Sequence, residues 1–225
     1  MSVAVVGRFR DHGWRYAVGV VTKIEVYADI WCPFAHVGLR AVRARLTGTE
    51  RSEIGLRVRA WPLELVNGRP QDADLTSSHI RELREQISSD LFVGFDTATF
   101  PTTTLPALDL AAHAYRQSDL AGEAVSFALR DALFEDGRDI ADPSVLGDIA
   151  ARHGVDTVEA RDRESVLEDW RHGQARGVKG SPHFFCGGKD VFCPSLDIGR
   201  GENGRLLINR NRKALDAFLS GCLGS

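Results

Sequence analysis

The chain has 225 residues, a net charge of −3, 43% hydrophobic residues and 26% charged residues. These values are ordinary for a globular protein of one large domain, or of one domain with a substantial insertion. The small net charge gives no general attraction to nucleic acid or to an anionic membrane, and no segment approaches the ~20 apolar residues of a spanning helix. The apolar start at residues 3–6 is too short for a secretory signal. We therefore expect no nucleic-acid or membrane partner and a cytoplasmic location, where the four cysteines would stay reduced.

The N-terminal part of the chain has a β-α-β pattern that begins near Lys23. Residues 1–22 form an N-terminal extension, either an extra edge strand or a loose tail. Apolar residues alternate over residues 24–28 and again over 54–60, and helical spacing between them ends near Gly48. A strand-helix-strand unit of this length predicts two parallel strands with a right-handed crossover.

The middle of the chain, residues 63–177, reads as a block of helices. Ser118 can cap a helix that runs to Phe134, and Asp142-Pro143 provides a cap and a first-turn proline for the next helix. Further helical segments are predicted around residues 80–87, from 104 to 115 and up to about 176. The Gly-, Thr- and aromatic-rich residues 91–101 are predicted to form a loop.

Strand character returns after the helical block. Residues 183–186 and 191–193 flank a turn at 187–190 and predict a hairpin, and an amphipathic helix follows near the C-terminus. The predicted domains are residues 23–62 with 178–225, which form one discontinuous domain, and the helical insertion at 63–177.

Cys32 is placed where the first strand ends and the first helix begins. A thiol at a helix N-terminus faces unpaired backbone N–H groups and the positive end of the helix dipole, so we expect a lowered pKa and a reactive thiolate. Pro33 suits the first helical turn, where no N–H is needed. The competing interpretation is that Cys32 is a small buried hydrophobic residue. A thioredoxin-type motif needs a second cysteine two residues after the proline, and this chain has Ala35 there.

Two motifs on either side of the helical block carry a family resemblance. They are residues 29–38, Asp-Ile-Trp-Cys-Pro-Phe-Ala-His-Val-Gly, and residues 177–184, Gly-Val-Lys-Gly-Ser-Pro-His-Phe. In this order they resemble the DsbA-like branch of the thioredoxin superfamily, with FrnE-like proteins, 2-hydroxychromene-2-carboxylate isomerases and kappa-class glutathione transferases as the nearest groups. The resemblance covers roughly Lys23 to Leu219. It implies an α/β, thioredoxin-like fold with a helical insertion between the β-α-β and β-β-α halves.

The same resemblance implies a substrate groove at Ser181-Pro182. Proteins of this type have a cis proline at the position of Pro182, facing the reactive sulfur, although cis is a minority state for X-Pro bonds. Ser181 would then offer its backbone N–H and C=O to an extended thiol or peptide.

Ala35 is the departure from the dithiol members of this group, and it leaves three functions open. Without a second cysteine, Cys32 can form a mixed disulfide but needs a small thiol, such as glutathione or mycothiol, to release the product. Our first expectation is such a thiol-disulfide oxidoreductase, with a disulfide-containing protein as partner. The alternatives are a glutathione-dependent isomerase or transferase that acts on a small aromatic substrate, and a non-catalytic binding module. A homodimer is also left open.

The candidate site residues follow from the two motifs. His36, four residues after Cys32, shares a helix face with it and would stabilise the thiolate or move a proton, unless it is simply solvated. Trp31 and Phe34 flank the sulfur and form either an apolar contact surface or part of the core. The predicted catalytic residues are Cys32 and His36, and the predicted substrate-binding residues are Trp31, Pro33, Phe34, Ser181, Pro182 and His183.

The other cysteines predict neither a disulfide nor a metal site. With a four-residue loop at 187–190, Cys186 would face Val191, and its sulfur would lie ~7 Å from that of Cys193, too far for a relaxed disulfide. The six-residue gap between the two is not a zinc spacing. We interpret both as structural, with Cys193 as a distant resolving thiol left open, and Cys222 as a core residue. The G-x-G-x-x-G pattern at 199–204 follows no βα-unit strand and is predicted to be a loop, so no metal and no tightly bound cofactor is expected.

Overall fold

The computed structural model describes residues 22–46, 54–156, 163–202 and 204–223. The predicted N-terminal extension therefore lies outside the described residues, except for Thr22, and so does the predicted helix end at Gly48. The strands are β1 (Thr22–Ala28), β2 (Ile54–Ala60), β3 (His183–Cys186), β4 (Lys189–Phe192), β5 (Leu196–Arg200) and β6 (Leu206–Arg210). The helices are α1 (Pro33–Arg45), α2 (Leu63–Asn67), α3 (Ala73–Gln86), α4 (Leu105–Gln117), α5 (Asp119–Phe134), α6 (Pro143–Arg152), α7 (Arg163–Ala175) and α8 (Arg212–Leu223), with a short 3-10 turn at Thr97–Thr99.

The main sheet has four strands in the order β2-β1-β3-β4. β1 pairs with β2 in parallel, and β3 pairs antiparallel with both β1 and β4. Alternate residues of β2 are buried, which is the pattern that its sequence predicts. The predicted parallel β-α-β unit is confirmed. The antiparallel pairing of β1 with β3, in which Tyr27 lies opposite His183, brings the end of β1 next to the start of β3.

The hairpin between β3 and β4 is tighter than the sequence prediction. Gly187 and Gly188 alone form the turn, with φ of 55° and 79°. Glycine adopts this left-handed conformation without a Cβ penalty, which permits a two-residue turn. The predicted four-residue loop is therefore wrong. Cys186 pairs with Lys189, and Val191 pairs with Phe184.

The helix boundaries follow the predicted capping residues. The Ser118 side chain accepts a hydrogen bond from Ala121 N, and the Asp142 side chain accepts one from Ser144 N. Both residues satisfy N–H groups that a helix start leaves unpaired. The short helix α2 was not predicted, because five residues do not show helical periodicity.

A second hairpin lies where the sequence predicted a loop. β5 and β6 form a separate two-stranded antiparallel sheet, in which Gly199 pairs with Leu207. Gly199 and Arg200 belong to β5, and the Gly201 N–H donates to the Arg205 carbonyl across the turn. The loop assignment for residues 199–204 is wrong in this part, because a glycine inside a strand interrupts the alternation by which strands are recognised.

The segment that carries Cys32 lies at the junction of two large apolar clusters. One cluster is formed by β1, α1, β2 and α8 and contains Cys32. The other contains Ile30 and Trp31 and much of α3 to α6. Residues 30–32 therefore contact both the sheet core and the helical block. The division of the chain into two domains stays a prediction.

Cys186 and Cys222 are paired as a disulfide between β3 and α8, with their Cα atoms 5.7 Å apart. The prediction that both are unpaired structural residues is wrong. It considered only the partner strand of Cys186, whereas the side chain of Cys186 lies in the cluster formed with the C-terminal helix. Cys32 and Cys193 are the free cysteines, and all four cysteines lie in the described residues.

No helix within the described ranges is both long and apolar enough to cross a membrane.

Candidate functional site

The two sequence motifs meet at the sulfur of Cys32. Cys32 is the N-cap of α1, Pro33 is its first helical residue, and the Cys32 carbonyl accepts from His36 N at 3.1 Å. The Cys32 thiol donates to the Ser181 carbonyl oxygen at 3.1 Å, across a sequence separation of 149 residues. The Ser181–Pro182 peptide bond is cis. The end of β1 and the turn before β3 thus hold the sulfur between them.

The electrostatic environment of Cys32 differs from the sequence prediction. Its side chain is 5% exposed, and burial raises the pKa of the thiol above its ordinary value. The Ser181 hydroxyl and the backbone N–H groups of Ala35 and Phe34 act in the opposite direction, while the charge of Asp29 raises the pKa further. The expected lowering of the pKa is therefore wrong, because the helix N-terminus does not offset the loss of solvation.

Asp29 is a buried acid beside the site, and the sequence analysis did not predict its role there. Its carboxylate accepts hydrogen bonds from the N–H groups of Ile30, at 2.6 Å, and Leu63. Burial raises the pKa of Asp29 to about 6, although these hydrogen bonds lower it. The Asp29 N–H donates to the Ser181 hydroxyl oxygen at 2.9 Å, so the acid is tied to the same turn as Cys32. Its place at the end of an apolar strand was the available signal.

Arg130 is a buried cation behind the same strand end. Its guanidinium donates to the Asp29 carbonyl at 3.1 Å and to Ser126 of the same helix at 2.7 and 2.8 Å. Burial lowers the pKa of Arg130 to about 10, and the charge of Asp29 opposes this shift. Arg130 therefore anchors α5 to the end of β1, three residues before the sulfur.

The His36 side chain does not face Cys32 in any described contact. Its Nε2 lies 2.7 Å from a Glu135 carboxylate oxygen, and the ring packs against Phe92 and Phe134. Burial lowers the pKa of His36, and Glu135 opposes this. The spacing predicted a shared helix face, but the imidazole is directed into the helical block, which corrects its expected role beside the thiol.

The aromatic neighbours of Cys32 are more buried than a contact surface would require. Trp31 is fully buried and stacks on Phe100, with the ring centroids 5.8 Å apart. Pro33 is buried in the first turn of α1. Phe34 is partly buried and lies 5.4 Å from the His79 ring. Of the two interpretations of Trp31, a substrate contact surface and part of the core, its full burial favours the core, and Phe34 is the more accessible aromatic residue.

His183 stabilises the turn before β3 and does not reach the sulfur in any described contact. Its Nδ1 accepts from Lys179 N at 3.2 Å, and its Nε2 lies 2.9 Å from an Asp190 carboxylate oxygen. Burial lowers the pKa of His183, and Asp190 opposes this. The imidazole therefore connects the turn of residues 179–183 to the neighbouring strand β4.

α1 packs closely on the cis-proline turn at Gly38. A Cβ placed on Gly38 would lie 3.3 Å from Pro182 Cγ and 3.4 Å from Ser195 Oγ. This close approach holds the helix that begins at Cys32 against Pro182. Nowhere in the described ranges do three or more His, Cys, Asp or Glu side chains form a group that could hold a metal ion.

A comparison with family models matches residues 23–198 to the DSBA-like thioredoxin domain. The chain belongs to this family. A search of curated proteins gave no match.

Solved structures with the same fold include oxidoreductases and an isomerase. A probable DsbA oxidoreductase from Streptomyces coelicolor superposes with a TM-score of 0.65 at 19% identity, covering 91% of each chain. The cytosolic disulfide reductase DsbM from Pseudomonas aeruginosa, in the structure with GSH, gives 0.57 at 18% identity, covering 90% of this chain and 100% of DsbM. A 2-hydroxychromene-2-carboxylate isomerase gives 0.57 at 15% identity, covering 76% and 88%. At these identities the likeness describes the fold.

The structure separates the predicted residues of this DSBA-like site into two groups. Cys32, Pro33, Ser181 and Pro182 lie together at the start of α1 and the cis-proline turn. The side chains of the other predicted residues contact other parts of the fold: Trp31, Phe34, His36 and His183. The first group can hold one sulfur against a backbone carbonyl at a helix N-terminus.

Proposed function

We propose that this protein is a thiol-disulfide oxidoreductase in which Cys32 is the nucleophile and a small thiol is the co-substrate. The observation that supports the proposal is the Cys32 sulfur at the start of α1, 3.1 Å from the Ser181 carbonyl. A sulfur at a helix N-terminus beside backbone polar groups suits attack on a disulfide. Membership of the DSBA-like family supports enzymatic thiol chemistry at this position.

In the proposed reaction, the Cys32 thiol first loses its proton. The N–H groups of Phe34 and Ala35 and the Ser181 hydroxyl favour the resulting thiolate. The thiolate attacks one sulfur of a substrate disulfide, so that a Cys32–substrate disulfide forms and the other substrate sulfur leaves as a thiol. Ser181 is partly exposed, and its backbone can pair with the arriving chain.

Ala35 determines how the reaction ends. A dithiol enzyme would release the substrate with a second cysteine at this position, whereas Ala35 has no sulfur. A small thiol then attacks the mixed disulfide and frees Cys32. Glutathione or mycothiol fits this role, and the similarity to DsbM, a cytosolic reductase with a GSH-containing structure, supports glutathione and a cytoplasmic location.

The test is reduction of a small dialkyl disulfide by glutathione, with the protein as catalyst. We expect the parent to accelerate the reaction and Cys32→Ser to give the uncatalysed rate. Gly147→Ala is the control, because nothing lies within 4 Å of the added Cβ, and it should retain parental activity. A Cys32→Ser protein that is folded and fully active would contradict the proposal.

A glutathione-dependent isomerase is the second candidate, and Ala35 is the observation that favours it. If glutathione bound at the Ser181-Pro182 groove adds to an aromatic substrate, the neighbouring Cys32 needs no resolving cysteine. The same protein should then be assayed with 2-hydroxychromene-2-carboxylate and glutathione. Isomerisation without disulfide reduction would replace the first proposal, and neither activity would favour a non-catalytic binding module.

A further inference from the structure

The second free cysteine, Cys193, is attached to the same cis-proline turn as Cys32. The Cys193 N–H donates to the Pro182 carbonyl at 3.0 Å, while the Cys32 thiol donates to the carbonyl of the preceding residue, Ser181. Two residues that are adjacent in sequence thus hold both free cysteines.

The turn that begins at Cys193 is strained and packs on α1. Cys193 has φ of 48°, a conformation that residues other than glycine rarely adopt. The Cys193 carbonyl accepts from Leu196 N at 3.3 Å, which closes a turn over Pro194 and Ser195. The Ser195 hydroxyl is buried and has no hydrogen-bond partner among the residues that the structure describes, and a Cβ on Gly38 would lie 3.4 Å from its oxygen. Strain of this kind is found where the surrounding structure imposes a position on a functional residue.

Cys193 also lines a groove that is open to solvent. The groove has a volume of about 450 Å³ and contains Phe192, Leu196, Ile198 and Leu207 on its apolar walls. Phe192, Ile198 and Leu207 are exposed. The residues that line this groove all lie between residues 192 and 209, outside the helical block.

The two sulfurs influence each other through their charge. Burial raises the pKa of Cys193 to about 12, and the negative charge of an ionised Cys32 contributes to the increase. In the mixed disulfide Cys32 carries no charge, as in the protonated thiol that burial favours in the resting protein, so an ionised Cys32 does not oppose the loss of the Cys193 proton at this step.

We propose that Cys193 is a second redox residue, which attacks the Cys32–substrate disulfide and forms a Cys32–Cys193 disulfide. The proposal rests on the proposed function, because it concerns the step after Cys32 has attacked. The sulfur–sulfur bond between Cys32 and the substrate breaks, the Cys32–Cys193 bond forms, and the Cys193 proton ends on the departing thiol. The substrate disulfide is reduced to two thiols and the cysteine pair is oxidised. The attack of Cys193 thus replaces the direct attack of a small thiol on the mixed disulfide, and two molecules of a small thiol such as glutathione then reduce the cysteine pair and become a disulfide.

The attack of Cys193 on the Cys32–substrate disulfide has a geometric requirement. A disulfide needs Cα atoms within about 7 Å of each other. Hydrogen bonds to adjacent carbonyls attach the two cysteines to one turn, and the bond closes when α1 and the turn after β4 bring their Cα atoms within this distance. An intramolecular thiol also acts at an effective concentration of about 1 mM or more, which exceeds a dilute external thiol.

The experiment treats the reduced protein with oxidised glutathione, traps free thiols with an alkylating reagent at low pH and maps the peptides without reduction. Trypsin cleaves after Lys189, so Cys186 and Cys193 fall in different peptides and the existing Cys186–Cys222 pair does not confuse the map. We expect a Cys32–Cys193 cross-linked peptide in the parent. With external glutathione at about 0.1 mM, Cys193→Ser should accumulate about tenfold more glutathione on Cys32.

Ser195→Ala is the matched control, since it alters the same turn without removing a thiol, and it should still give the cross-linked peptide. Equal glutathione adducts on Cys32 in the parent and Cys193→Ser, with no cross-linked peptide in the parent, would overturn the role of Cys193 and leave the proposed function intact. A Cys32 that takes up no glutathione in any variant would overturn both proposals. The peptide map of the parent protein shows by itself whether the Cys32–Cys193 disulfide forms. An unstable Cys193→Ser protein would therefore not leave the proposal undecided.

Discussion

The reactivity of Cys32 depends on a balance between residues that act in opposite directions. Burial and the charge of Asp29 raise the pKa of the thiol, while the Ser181 hydroxyl and the first N–H groups of α1 lower it. Asp29 and Ser181 are joined by a hydrogen bond from Asp29 N, so both belong to one structural unit. Their separate removal therefore tests the two opposing effects on the thiol.

We predict that Asp29→Asn lowers the pKa of Cys32 and that Ser181→Ala raises it. Asp29 has a pKa of about 6 and is ionised at higher pH, so asparagine removes a negative charge that disfavours the thiolate. Ser181→Ala removes a group that favours the thiolate. The measurement is the rate of Cys32 alkylation between about pH 7 and 10, read at the Cys32 peptide. Shifts in the same direction for both variants would contradict this assignment.

Ala35→Cys is predicted to convert the site into a dithiol pair. Positions 32 and 35 lie on one turn of α1, where two sulfurs are close enough to bridge. The variant should form a disulfide between Cys32 and the introduced thiol, and it should reduce a protein disulfide substrate without glutathione. Ala41→Cys on the same helix is the control, because position 41 lies about 13 Å from position 32 along the helix axis and its sulfur cannot bridge to Cys32. Parental behaviour in the Ala35→Cys variant would show that the missing cysteine does not limit the chemistry.

At the residue scale, the sequence predicted positions better than environments. The placement of Cys32 at a strand-to-helix boundary and its approach to Ser181 followed from two motifs. The direction of its pKa shift did not, because burial depends on α5 and on the loops that cover the strand end. His36 shows the same limit: spacing assigns a helix face, but only the packing of Phe92 and Phe134 directs the ring to Glu135.

At the element scale, α4 and α5 are fixed on the sheet through Tyr115. The Val58 N–H of β2 donates to the Tyr115 hydroxyl at 2.8 Å, so the ring has little freedom to move. A Cβ on Gly122 of α5 would overlap this ring, whereas nothing lies within 4 Å of a Cβ on Gly147 of α6. Glycine at position 122 therefore permits the close contact between the two helices.

We predict opposite effects of alanine at these two glycines. Gly122→Ala should lower the free energy of unfolding by about 1–3 kcal/mol, because the ring or the helix must shift. Gly147→Ala should raise it by about 0.5–1 kcal/mol, because alanine reduces the conformational freedom of the unfolded chain. Urea denaturation of both variants measures the difference. A stabilised Gly122→Ala protein would mean that the helices can separate without loss.

Elements with local signals were predicted, and those determined by distant packing were not. Ser118 and Asp142 identified their helices through capping, which involves only the next few residues. The β3–β4 register was wrong because Gly187 and Gly188 allow a tighter turn than the alternation suggests. The Cys186–Cys222 pair was missed because it depends on how the C-terminal helix packs on β3.

For the whole molecule, the buried carboxyl group of Asp29 couples folding to pH. Its pKa is raised from 3.8 to about 6 in the folded protein, so the folded state holds the proton more tightly than the unfolded state. The resulting contribution to stability is fully present below about pH 4 and is lost as the pH rises through 6. Carboxylates with lowered pKa values, such as Glu135 beside His36, change stability in the opposite direction. The pH dependence of the free energy of unfolding therefore reflects several groups and not Asp29 alone.

Comparison with Asp29→Asn isolates this contribution, because asparagine has no proton to lose. The two carboxyl pKa values predict that the free energy of unfolding of the parent, relative to the variant, falls by about 2.4 kcal/mol between pH 4 and pH 7. The lost hydrogen bond to Leu63 N shifts both ends of this comparison equally and cancels in the difference. Urea denaturation of both proteins at each pH provides the measurement. A constant difference across this range would mean that burial does not raise the pKa of Asp29, and that its carboxylate is ionised in the folded protein throughout this range.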